Sequence, residues 1–237
     1  MKNLSLLLFD LRFQWRHGFY YVYIIVCACY WVLLQFIPDV YREITAVLLA
    51  FSDPAALGLI LAGGMVLLER DQGVHDALFV TPIRLRTYLL SKTVSLSVLS
   101  LAAGWVIHLS AGSLPGSPAA YSAGIGLTSS FMTLLSIGTA ARQHSVNGFI
   151  LKVQAYSLPF LLPLLGLFDL WDNPIFLILP TEGTLRLLQY SANQASRWEF
   201  IYFTALLLIW NFAAYMWAYS SYMRNILNKA GEGGAAR

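Results

Sequence analysis

Residues 69–92 read ERDQGVHDALFVTPIRLRTYLLSK, a charged stretch set between two runs too apolar to share a soluble core with it. Gly63, Gly64, Met65, Val66, Leu67 and Leu68 lead in, and Val94, Leu96, Val98 and Leu99 lead out. It is the long polar interruption of the first half of the chain, and it reads as a cytoplasmic loop carrying a short helix between two membrane spans. Within it, residues 71–80 can form about two helical turns, with Val74 and Leu78 on one side and His75 and Phe79 adjacent. Thr81 and Pro82 then supply the cap and first turn of the next helix.

Composition extends this reading to the whole chain. Of 237 residues 58% are hydrophobic and 11% charged, with a mean hydropathy of +0.63, outside what the surface of a soluble domain tolerates. The expected fold is an all-α polytopic membrane protein, one transmembrane domain over residues 1–237. A span needs roughly 20 apolar residues to cross about 30 Å of hydrocarbon, so the length allows about six spans and no soluble domain. Asp10 and Arg12 interrupt the first apolar run, so no cleavable signal is expected. Cys27 and Cys29, two apart on a helix, face opposite sides and cannot bridge each other.

In order, residues 1–18 form an interfacial amphipathic helix, with Leu4, Leu7, Leu8, Leu11 and Trp15 on one face. Asp10, Arg12, Gln14, Arg16 and His17 surround the rest, while Phe9 and Phe13 add a second apolar stripe. Spans are expected at 19–37, 44–68, 88–110, 121–141, 149–168 and 200–223, with the cytoplasmic loop at 69–87. Ser52-Asp53-Pro54 has the form of a helix start, so Asp53 reads first as a cap before Pro54 and second as an intramembrane carboxylate. Pro159 and Pro163 should kink the fifth span. Residues 169–199 hold two short outer re-entrant helices, at 174–179 and 182–190. With both ends in the cytoplasm of a multi-pass cell-membrane protein, every Lys and Arg except Arg42, Arg186 and Arg197 falls inside.

The residues argue against chemistry on this chain. His17, His75, His108 and His144 are scattered with no pair at metal-ligand spacing, so no metal site is expected. No catalytic set of Ser, His and acid is assembled by any spacing, and no GxxxxGK[ST] is present to cradle ATP phosphates. Uphill transport would therefore draw its energy from another subunit or an ion gradient.

The run LAGGMVLLERDQG, then VHDALFVTP, then YLLSK resembles the permease subunits of ABC exporters of the type-2 family. Their loop after the second helix reads approximately E-R-E-x-G-T-x-x-x-L-x-x-T-P followed by Y-L-x-x-K. Here Val74 replaces the Thr and Asp71 the second acid. The pattern is nearest small drug-export permeases of the fluoroquinolone type, with the type V exporter architecture. The resemblance implies a coupling helix docking on an ATP-binding subunit through Asp71, Gly73, Val74, His75, Leu78 and Phe79, with the N-terminal helix as a second contact. It implies two such subunits, which carry the ATP and Mg, no cofactor on this chain, and a second permease copy or paralogue. It also implies a pathway lined by the second and fifth spans, with Leu57, Leu61, Gly64, Tyr156, Phe160 and Leu164 as candidates. So apolar a lining suits hydrophobic drug-like or lipid-like substrates moved outward by alternating access.

Glu69 closes a helix whose dipole disfavours negative charge there, so it calls for a cation, expected from Arg12, Arg16 or Arg142. The reading from a different class is a non-transporting membrane scaffold or assembly protein that holds a cytoplasmic partner through residues 69–92.

Overall fold

Where these helices begin and end follows from local chemistry. A computed structural model describes residues 2–73, 84–112, 116–168, 170–171, 173–190 and 196–227, apart from the side chains of 2–5, 53–57, 190 and 227. The regular elements among these are all helical: α1 Lys2–Arg16, α2 Phe19–Phe36, α3 Asp39–Asp71, α4 Leu85–Ser110, α5 Pro118–Ala140, α6 Val146–Leu161, α7 Leu164–Leu167, α8 Pro180–Tyr190 and α9 Arg197–Tyr222. A 3₁₀ turn, Pro174–Ile178, precedes α8, and a π turn, Met223–Leu227, closes α9. Ser117 caps α5 ahead of Pro118, and Asn173 accepts from the Ile175 N–H ahead of the 3₁₀ turn. Ser196 and Glu199 form a capping box at the start of α9. Ser196→Ala is expected to cost about 1 kcal/mol, read as earlier thermal unfolding in detergent.

Phe19–Phe36, Leu85–Ser110, Pro118–Ala140 and Arg197–Ile226 are long and apolar enough to cross a membrane. The expected spans 44–68 and 149–168 fall on α3 and on the α6–α7 pair. At Ser52-Asp53-Pro54 the expectation of a helix start is corrected, because α3 runs unbroken through all three residues. A broken helix leaves several backbone groups to be satisfied elsewhere, whereas an interior proline removes one donor. The Ser52 hydroxyl meanwhile donates to the Leu49 carbonyl at 3.1 Å. The expected kink of the fifth span is a break: α6 carries Pro159 inside it and ends before Pro163, after which α7 adds a single turn.

α5 is the central post, packed by α3, α4, α8 and α9. Residues 131–140 along it are all buried. Small residues let the neighbours approach: the Trp217 ring of α9 lies against Gly138, and the Phe149 ring of α6 lies against Gly63 of α3. Phe149, Val153 and Ser157 are the buried stripe of α6, and its other faces look outward.

α1 sits against α4 with a partly polar face. Leu6, Asp10, Phe13 and Gln14 are buried, while Leu8 and Trp15 are 57% and 61% exposed. Leu7 and Leu11 of the expected apolar face are half-buried, and the stripe turned in is the mixed one.

Candidate functional site

The reason lies in one buried cluster. Asp10 and Gln14 are one turn apart on α1, Tyr88 and Lys92 one turn apart on α4, and Glu69 is on the last turns of α3. Packing the three helices brings the Lys92 ammonium to 3.0 Å from Asp10 Oδ1 and 2.5 Å from Glu69 Oε1. The Tyr88 hydroxyl donates to Glu69 Oε2 at 2.6 Å, and the Ser91 hydroxyl donates to Asp10 Oδ2 at 2.5 Å. Each carboxylate is thus bonded through both oxygens. Gln14 Nε2 donates to Ser95 Oγ at 3.0 Å, extending the seam one turn along α4. Asp10, Glu69 and Lys92 are 2%, 1% and 0% exposed, so water screens none of these charges. The ammonium also lies 5.1 Å from the centre of the Tyr88 ring and 5.9 Å from that of Phe13.

The expectation that Glu69 pairs with Arg12, Arg16 or Arg142 is therefore corrected: its cation is Lys92. Arg12 and Arg16 point outward from α1. Arg142 donates to Ser221 Oγ at 3.0 Å and lies 4.8 Å over the Trp217 ring. The helix-end argument demanded a cation without saying which. A lysine on the far side of the loop reaches Glu69 because α3 and α4 pack along their lengths.

Arg70, the next residue, ties the other side of α3. Its guanidinium donates to the Gln143 carbonyl at 2.9 Å and lies 3.0 Å from His144 Nδ1, in the turn between α5 and α6. Asp71 ends α3, Gln72 caps it and Gly73 takes the left-handed conformation at φ 67, where a Cβ would be strained. Asp71 and Gly73 are exposed. Val74, His75, Leu78 and Phe79 lie outside the described residues.

The five pathway candidates that the structure describes do not converge. Leu61 packs with Tyr23, Leu99 and Ala103 on the α2 and α4 side. Gly64 meets open space, and the Leu57 side chain lies outside the described residues. Tyr156 stands edge-on to Trp217, and Phe160 edge-on to Phe131 and Trp210. Among the five described candidates Leu164 alone borders a cleft of about 390 Å³ between α3 and α6–α7, whose walls include Phe51, Ser52, Ile60, Gln154 and Ser157. The cleft lies between the helices on which the expected spans 44–68 and 149–168 fall.

Sequence reasoning missed Asp10, Tyr88, Ser91 and Lys92 as site residues, although a signal was present. Glu69 opens one half of the loop pattern and Tyr88, Ser91 and Lys92 lie in the other, YLLSK, so the two halves are bonded to each other across the loop.

The model of the Fluoroquinolones export permease protein family matches residues 2–230. Curated relatives include fluoroquinolones export permease proteins of Mycobacterium tuberculosis strains CDC 1551 / Oshkosh and H37Rv. Each is 26% identical over 188 residues, covering 79% of this chain and 79% of its own length.

Proposed function

The chain belongs to the fluoroquinolones export permease family, and from that premise we propose that it is the membrane subunit of an ATP-driven ABC exporter of hydrophobic, aromatic drug-like molecules. Six segments cross the bilayer in this reading: α2, α3, α4, α5, the α6–α7 pair and α9. At 1.5 Å per residue the 33 residues of α3 extend about 50 Å, more than the hydrocarbon needs, so its end projects into water. α6, with 16 residues, falls short alone, and α7 completes the crossing. Both termini and the 69–92 loop lie in the cytoplasm.

The observation that carries the reading is the Asp10–Lys92–Glu69 cluster, which fastens both ends of that loop to the N-terminal helix. A loop held this way at its base passes force to three helices together, as a docking segment for an external motor must. Two ATP-binding subunits, holding ATP and Mg, grip the loop, and a second permease copy or paralogue completes the pathway. Their closure tilts the spans and moves the cleft between α3 and α6 from inward to outward access. That cleft is apolar with Ser52, Gln154 and Ser157 on its walls, a surface suited to an aromatic drug carrying a few polar groups.

The test is co-purification followed by vanadate-sensitive ATPase assay against fluoroquinolones. An ATP-binding-cassette subunit recovered in equal ratio, with drug-stimulated hydrolysis, supports the proposal. Recovery of the chain alone, or of a partner that hydrolyses no ATP, sinks it and favours a scaffold. Ile60→Trp, which fills the cleft, is expected to reduce drug stimulation about tenfold or more while unstimulated hydrolysis persists.

A further inference from the structure

The burial of Asp10 changes what α1 shows to its surroundings. With that carboxylate held by Lys92, the exposed charged side chains described on α1 are Arg12 and Arg16. They lie on the outward side of the helix next to exposed Leu8, Phe9 and Trp15. The negative charge of the helix is inside the bundle, the positive charges among its described side chains, Arg12 and Arg16, are outside, and both border an apolar arc. α1 ends at Arg16 and turns through Gly18, at φ 77, directly into α2, a helix fit to cross a membrane. It therefore sits at the end of a span, where hydrocarbon gives way to headgroups.

We infer that the outward face of α1 is a binding surface for anionic phospholipids. Arg12 and Arg16 take the headgroup phosphates, and Leu8, Phe9 and Trp15 take the upper acyl chains. Charge complementarity selects this occupant. An arc with two guanidiniums that no described carboxylate opposes, beside large apolar side chains, matches a negatively charged leaflet, and an uncharged leaflet would leave the guanidiniums without their counter-charge. The inference does not depend on the ATP-driven mechanism, and either can fail without the other.

The experiment places a fluorophore on Leu8→Cys in a Cys27→Ala/Cys29→Ala background. The full chain is reconstituted in phosphatidylcholine vesicles with a minor share of phosphatidylglycerol. Nitroxide-labelled phosphatidylglycerol and nitroxide-labelled phosphatidylcholine are then compared as quenchers at equal mole fraction. The expected result is quenching that reports about fivefold local enrichment of phosphatidylglycerol, the factor usual for one basic side chain at an anionic surface. The preference should shrink as salt shortens the screening length and vanish in R12Q/R16Q. A label at Ile209→Cys, on the exposed face of α9, should show none. Equal quenching by both lipids at position 8, or a preference that survives R12Q/R16Q, overturns the inference. So does a position-8 label that neither lipid quenches, which would mean that protein covers the face.

Discussion

Lys92→Met is expected to lower the stability of the detergent-solubilised chain by about 3–5 kcal/mol, because it leaves two buried carboxylates facing each other without their shared cation. Thermal unfolding checks the size of the effect. The informative comparison is the triple variant D10N/E69Q/K92M, which removes the charges together. Replacing a buried ionic set as a whole is often close to neutral, so most of the lost stability should return. If the cluster carries motion between the loop and α1, drug-stimulated ATPase activity should stay low in that refolded variant. A triple variant with full stimulation would reduce the cluster to a structural fastening.

Gly63→Ala should be the most damaging single methyl in the α3–α6 contact. A Cβ there would run into the Phe149 ring and come within 2.7 Å of the Ser136 hydroxyl, which itself donates to the Leu59 carbonyl. Phe149 is 1% exposed and has nowhere to retreat. Overpacking of this kind typically costs about 1–3 kcal/mol. Phe149→Leu in the same chain makes room, so the pair should be less destabilised than the sum of the single variants, with a coupling of about 1 kcal/mol in a double-mutant cycle. Strict additivity would show that the two residues do not collide.

Much of this was legible in the residues. The helical turn expected from 174 starts there with Asn173 as its cap, while Ser117 and the Ser196–Glu199 box start their helices at 118 and 197, ahead of the expected 121 and 200, because a capping side chain satisfies the first backbone donors. Ser52-Asp53-Pro54 has the same letters and starts nothing. Capping chemistry fixes a helix end only where water or a turn can take over the remaining backbone groups, and the apolar flanks of this triplet offer neither. The site was half legible. That Glu69 needed a cation followed from its place at a helix end, but Lys92 read as a topology signal, and no spacing rule links residues 23 apart across a loop. The face on which α1 seats was left open for the same reason, because a buried Asp10 looks polar until its partner is known.

Glu69 and Arg70 are neighbours on a helix, so their side chains leave it about 100° apart around the axis, one bonded toward α4 and α1 and the other toward the α5–α6 turn. Twisting the tip of α3 either way would stretch one of these moorings. Torque is resisted on both flanks, so a load reaching that tip is converted into lean or lengthwise travel, with the rod kept from spinning in its socket.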